Sequence, residues 1–183
     1  ARRKGFSFKN AALCAWQYNF FPESSVYIGA YLDEYAETTF KMAKEYINYS
    51  NIHTPWKKRT LENNAKHIKS GYKETLDGVE VEKGYRSFIQ TLTFKDNPSA
   101  GIGKSSKIFL FEEAGKWPNL KKSFSLTAPS LKEGSWYFMT PILFGTGGDM
   151  DGNTNDFCEM FYNPKMYNLR SFVNEWDEAA GGE

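Results

Sequence analysis

Apolar and polar positions along this chain fall into two rhythms. Over residues 8–20, Ala11, Ala12, Ala15, Trp16 and Tyr18 recur at mostly helical spacing, and Pro22 stops the pattern. Residues 25–30 form a short apolar run that predicts a buried strand. Residues 32–49 return to the helical rhythm, with Tyr35, Thr39, Met42, Tyr46 and Tyr49 near one face. Helix, strand and helix joined by short connections predict an α/β fold around a mostly parallel sheet.

The rest of the chain continues that order less evenly. Residues 51–83 carry little periodicity, although Asp77-Gly78 between Leu76 and Val79 signals a hairpin turn. Residues 85–94 read as a strand, 96–101 as a loop and 116–126 as a short helix preceded by a break at Pro118. Residues 135–144 read as a buried strand or strand pair that ends on Gly145-Thr146-Gly147-Gly148-Asp149. Residues 155–172 predict a helical turn, a break at Pro164 and a short strand, and the acidic residues 175–183 a linker or frayed end.

The chain is organised around Lys107-Ile108-Phe109-Leu110-Phe111-Glu112-Glu113-Ala114-Gly115. An unbroken apolar run of this length suits a strand buried on both faces of a parallel sheet. Open α/β sheets bind ligands at the carboxyl ends of such strands. Two adjacent carboxylates there can hold Mg²⁺ and orient an attacking water, as nucleotide hydrolases require. A buried strand running out into a solvated acidic turn would give the same pattern.

Composition narrows the classes. With 183 residues, 40% of them apolar and 17% aromatic, the chain can bury one substantial core, which excludes global disorder. A formal net charge of +1 argues against a protein that coats nucleic acid generally. Lys57, Lys58, Arg59, Lys66, Lys69 and Lys73 make a local basic stretch, read here as a solvated surface rather than a phosphate-binding patch. The two cysteines, Cys14 and Cys158, lack metal-ligand spacing and suit a reducing compartment. No apolar run approaches the roughly 20 residues of a membrane span.

Two glycine-containing stretches compete as the phosphate cradle. Gly101-Ile102-Gly103-Lys104-Ser105 ends like the standard phosphate loop, but its first glycine position falls on Pro98 and a β-rich run follows. A phosphate loop must open a helix, whose N-terminal N–H groups bind the anion. Arg2-Arg3-Lys4-Gly5-Phe6-Ser7 does enter a helix. Gly5 would let the backbone approach, Ser7 would offer a hydroxyl to Mg²⁺ and the basic residues would supply charge. Phe6, however, sits at the position of the standard lysine, and a basic tail before an ordinary helix fits these residues as well. The stretch 149–156 imitates a calcium loop, but Thr154 stands at its sixth position and Met160 at its twelfth, so it is rejected. His53 and His67 have no partner at ligand or triad spacing.

Taken in order, these pieces resemble the ATPase domain of the large terminase subunit of tailed bacteriophages, over nearly the whole chain. Ala1-Arg2-Arg3-Lys4-Gly5-Phe6-Ser7 resembles that family's arginine-containing Walker A loop. Ile108-Phe109-Leu110-Phe111-Glu112-Glu113-Ala114 resembles its Walker B strand, and Ile142-Leu143-Phe144-Gly145-Thr146-Gly147 its coupling motif. The resemblance implies a P-loop NTPase-like, mostly parallel sheet flanked by helices, here without the strand before the phosphate loop. It implies a partial ATPase domain over residues 1–174, with the family's nuclease domain absent. It further implies ATP and Mg²⁺ as cofactors. Arg2, Arg3 and Lys4 would contact phosphates, with one of them as a cis arginine finger, and Gly5, Phe6 and Ser7 would line the cradle. Ser7 and Glu112, the latter standing where the family usually has Asp, would hold Mg²⁺. Glu113 would activate water, and Thr146 would sense the γ-phosphate. The implied partners are double-stranded DNA, a portal protein, a small terminase subunit and further copies in a ring. The implied location is the bacterial host cytoplasm, transiently at the prohead. A non-catalytic nucleic-acid-binding or assembly module and a helicase-like P-loop ATPase are the alternatives.

Overall fold

The computed structural model describes residues 5–134, 136–146 and 155–170. Arg2, Arg3, Lys4 and Gly147, the rejected calcium-loop residues up to Thr154, and the expected terminal segment 175–183 lie outside the described residues.

Helix α1 (Phe6–Phe20) leads through a turn at Pro22 into β1 (Ser25–Ala30), and α2 (Asp33–His53) follows directly. The acidic Asp33 and Glu34 in the first turn of α2 suit its helix dipole, and Pro55 blocks continuation beyond Thr54. The segment with little periodicity holds four short strands: β2 (Thr60–Asn63), β3 (His67–Ser70), β4 (Tyr72–Leu76) and β5 (Val79–Lys83). Strands β4 and β5 form the hairpin signalled by Asp77-Gly78, both with positive φ as a tight hairpin turn needs. Then come β6 (Phe88–Thr93), β7 (Ile108–Glu112), a 3₁₀ turn at Ala114–Lys116 and α3 (Leu120–Thr127). After a second 3₁₀ turn (Ala128–Leu131), the chain forms β8 (Lys132–Glu133), β9 (Trp136–Tyr137), β10 (Thr140–Leu143) and α4 (Asn155–Tyr162).

The main sheet has the order β10-β7-β1-β6-β3-β2. The first four strands are mutually parallel, and β3 and β2 continue it antiparallel. From β1 the chain crosses through α2 to β6 on one side, and from β7 it crosses through α3 to β10 on the other. The point where the winding reverses therefore lies between β1 and β7, at their carboxyl ends, where open sheets bind ligands.

Strand β7 is buried along its whole length, as its unbroken apolar run requires. Successive side chains face opposite layers. Phe109 and Phe111 stack at 4.8 Å and continue into Phe94, Trp117 and Phe124. Gly29 of β1 makes room for this aromatic layer, since a Cβ there would lie 2.8 Å from Phe94 and 3.1 Å from Phe109. Glu112, on the opposite face of the strand, meets α1 and α2. Each fully buried aromatic side chain here contributes about 1.5–3 kcal/mol.

Four expectations need correction. Helix α2 buries Ala36, Thr39, Phe40, Ala43 and Ile47, while Tyr49 is exposed and Tyr35, Met42 and Tyr46 are half-buried. The buried face of α2 is made largely of small residues, and its tyrosines fall to the rim. Of the two readings of residues 135–144, one buried strand or a strand pair, two strands are seen, but they belong to different sheets and the first is not buried. Strand β9 pairs with β8 in a separate ribbon, its Trp136 exposed, and only β10 joins the sheet. Residues 155–162 make a full short helix, and a 3₁₀ turn at Pro164–Tyr167 replaces the expected strand among the described residues. Finally, residues 51–83 contain the strands named above, two of them in the main sheet.

Candidate active site

Two loops at the carboxyl edge of the sheet and the start of α1 build the site. Gly5 is the N-cap of α1, at φ +71, a left-handed conformation that suits glycine. Among the described residues no side chain caps this helix and its first turn carries no acid, so its leading N–H groups are available to an anion. Helical bonding begins with the Lys9 N–H donating to the Gly5 carbonyl at 3.0 Å.

One turn of helix brings Ser7 onto the end of β7. Its hydroxyl donates to Glu112 Oε1 at 2.7 Å, across 105 residues of sequence. The Thr39 hydroxyl of α2 donates to Glu112 Oε2, also at 2.7 Å. Behind them the Trp117 indole N–H donates to the Glu112 carbonyl at 2.8 Å, fixing the backbone. Glu112 is only 4% exposed. Burial pushes its carboxyl above the ordinary range, the Ser7 and Thr39 hydrogen bonds oppose that shift, and the charge of Glu113 adds to it. Cys14, fully buried on α1, has its thiol pushed up by burial and by the Glu112 charge, so it stays protonated and is no nucleophile.

Glu113 leaves the strand at φ +51, a left-handed conformation that is strained for a residue with a Cβ. The loop after β10 holds it there. The Ala114 N–H donates to the Phe144 carbonyl at 2.9 Å, and the Phe144 N–H to the Phe111 carbonyl at 3.2 Å. Gly145, at φ +151, lies so close that a Cβ would stand 2.7 Å from Glu113 Cα. Thr146 then donates its hydroxyl to Glu113 Oε2 at 3.1 Å, and the Lys116 ammonium sits 3.7 Å from the same oxygen. Lys116 also lies over the Tyr35 ring at 4.7 Å.

Of the residues expected from sequence, the structure brings Ser7 and Glu112 into contact, and Glu113 and Thr146 into contact. Gly5 caps the same helix. Phe6 is half exposed, with the Lys9 ammonium 5.5 Å from its ring centre. Thr39, Lys116, Gly145 and Trp117 belong to the site without having been singled out for it. The only sequence signal for Thr39 was a polar residue on an otherwise apolar helix face.

The rejected Gly101–Ser105 stretch lies at the amino end of β7, with the Ser105 carbonyl accepting from Ser25 at the start of β1. It is a turn that packs on Thr127, which a Cβ at Gly101 would strike at 2.2 Å. In the basic stretch, Lys66 pairs with Asp33, Lys69 with Glu82 and Lys73 with Glu80, while Lys58 and Arg59 stack on Tyr85 and Tyr72. Those local partners fit a solvated surface.

No cluster of three or more His, Cys, Asp or Glu exists among the described residues. The described residues thus build no protein-only metal cage. One buried carboxylate beside one hydroxyl, both hard oxygen donors, is instead the share a protein contributes when Mg²⁺ keeps waters and phosphates as its other ligands. Open N–H groups lie at the start of the same helix. The residues present therefore fit a Mg²⁺–nucleotide pair. No described helix is long and apolar enough to cross a membrane.

No protein-family model matches the chain, and no curated protein matches it in sequence. Solved structures do match in fold. A variant of the large terminase ATPase domain of Thermus phage P74-26 superposes with a TM-score of 0.65 at 17% identity, over 87% of this chain and 61% of that one. A second structure of that ATPase domain gives 0.59 at 14% identity, over 82% and 58%. The large terminase of bacteriophage HK97 gives 0.59 at 17% identity, over 94% of this chain and 33% of its own length. This chain thus spans about three-fifths of the former domain and a third of the latter protein. Over most of its length the chain has the mixed, mostly parallel α/β fold of the ATPase domain of phage large terminases.

Proposed function

We propose that this chain is the ATP-hydrolysing domain of a DNA-packaging motor of the large-terminase kind. The observation that carries the reading is the Ser7–Glu112 hydrogen bond, which joins the glycine turn at the head of α1 to the acidic tip of β7. Chain segments far apart in sequence meet where a triphosphate and its metal would have to lie.

In this reading the first N–H groups of α1 and the exposed Gly5 backbone cradle the phosphates, and Arg2, Arg3 and Lys4 add positive charge, one of the arginines as a cis finger. Glu112 and Ser7 hold Mg²⁺, which when bound neutralises charge on the phosphate oxygens. Glu113, partly solvated and aimed by Thr146, orients the attacking water and accepts its proton. Thr146 thereby ties the state of Glu113 to the segment after β10, the route by which hydrolysis would be coupled to movement of double-stranded DNA. Portal protein, small terminase subunit, neighbouring copies in a ring and a site of action at the prohead in a bacterial cytoplasm follow from the same reading. Phe6, an uncharged ring where the standard loop has lysine, favours a second reading: a nucleic-acid-binding module with a degenerate nucleotide site. DNA binding that is sensitive to salt but indifferent to ATP and Mg²⁺ would mark it.

The test is Glu113→Gln in a phosphate-release assay with parallel nucleotide binding. Hydrolysis should fall by about 10²–10⁴-fold while ATP affinity is kept. Undiminished turnover would refute the role of Glu113.

A further inference from the structure

The two neighbouring threonines of α2 spend their hydroxyls differently. Thr38, on the exposed side, donates to the carbonyl four residues back, Glu34 O, at 2.9 Å. Thr127 of α3 does the same with Ser123 at 2.8 Å. That back-bond is the ordinary resting place of a helical threonine hydroxyl. Thr39, completely buried among Ala36, Phe40 and Ala43, instead sends its hydroxyl across to Glu112 Oε2. Valine would fill this apolar position equally well, and a β-branched residue gains nothing for the helix itself. The hydroxyl is the part of the residue that needs a reason.

We propose that Thr39 is a positioning residue for the metal–nucleotide site, holding one oxygen of Glu112 so that the other is presented at Ser7. The inference rests on the reading of Glu112 and Ser7 as the Mg²⁺-holding pair and deepens it. A glutamate side chain has one more rotatable bond than an aspartate, so its carboxylate can swing further. Among the described residues no lysine or arginine pairs with Glu112; its oxygens are taken by one hydroxyl from α1 and one from α2. With Oε2 tied to α2, the carboxylate plane is set and Oε1 must face α1. Loss of the α2 hydroxyl frees the group to rotate, and the preset pairing with Ser7 goes with it. Partners of this kind, one step behind the metal, are worth roughly 10–100-fold in metal affinity.

The experiment titrates Mg²⁺ into the 183-residue chain with a fluorescent ATP analogue and follows analogue binding, beside near-ultraviolet circular dichroism and thermal unfolding. Thr39→Ala and Thr39→Val should raise the Mg²⁺ concentration at half-saturation by roughly 10–100-fold. Thr39→Ser, which keeps the hydroxyl, should stay within about threefold of the parent, well short of that range. A purely structural threonine would lower the melting temperature of the alanine and valine variants and leave their Mg²⁺ titrations unmoved; that result overturns the proposal. A serine variant as impaired as the alanine variant overturns it too, and the serine–alanine pair decides should the valine variant not fold. Failure of the parent chain itself to show Mg²⁺-dependent binding would overturn the underlying function, an outcome distinct from either.

Discussion

An alanine at position 145 would put its methyl 2.7 Å from Glu113 Cα, 2.8 Å from Ala114 N and 2.9 Å from Glu113 C. All three are backbone atoms, so no side chain can swing aside. The residue would also have to hold φ +151, which side-chain-bearing residues rarely adopt. Strain of this kind costs on the order of 1–3 kcal/mol, and overpacking against a fixed neighbour about as much again. For Gly145→Ala the expected loss is therefore about 2–6 kcal/mol, equivalent to a fall in melting temperature of about 4–24 °C for a domain of this size. The catalytic effect should be larger than the stability effect suggests. Relief of the clash must separate Glu113 from the loop that carries Thr146, and a misplacement of about 1 Å at a reacting group can cost on the order of 10²-fold. Thermal melts by circular dichroism and a steady-state phosphate-release assay below the melting range read the two quantities separately. A variant that melts within about 1 °C of the parent and hydrolyses ATP at the parental rate would refute the claim that this contact sets Glu113.

Phe6→Lys should strengthen ATP binding by roughly tenfold or more, since a hydrogen bond to a charged group contributes about 1.5–3 kcal/mol; unchanged affinity in a calorimetric titration would mean that the phosphates do not reach the head of α1. Trp117→Phe removes the donor to the Glu112 carbonyl inside the core and should cost about 1–3 kcal/mol in urea unfolding. The Asp33 carboxyl is held below its ordinary range, first by hydrogen bonds from Lys66 and Thr93 and then by the Lys66 charge. Its contribution is therefore present above the ordinary carboxylate range and lost as pH falls through the depressed value, so Asp33→Asn should flatten the acid limb of a stability–pH curve.

What could be read in the sequence was whatever local pattern alone decides. The run Ile108–Phe111 has no reading but a buried strand, and the carboxylates after it had to fall at its carboxyl end. Asp77-Gly78 supplies the two positive φ angles of its hairpin by residue type. Strands β2 and β3 were missed because they lie on the antiparallel flank of the sheet, are four residues each, and β2 is largely exposed, leaving hardly any apolar rhythm. The buried face of α2 was misjudged because tyrosines look like core residues in a pattern while behaving as rim residues in a fold. Thr39 and Gly145 matter only through partners 73 and about 30 residues away, Glu112 and Glu113 respectively. No window along the chain contains such information. Ser7 was found because it stands at a motif position, but its hydrogen bond to Glu112 exists only once the sheet is built.

The central claim is that Ser7 and Glu112 serve one Mg²⁺–ATP site. Calorimetric titration of MgATP into the parent chain, Ser7→Ala and Glu112→Gln tests it most directly, with circular dichroism confirming that each is folded. Parental binding that weakens by roughly tenfold or more in both variants is the expected result, from the loss of a charge-assisted contact in each. Full MgATP affinity in both folded variants would contradict it.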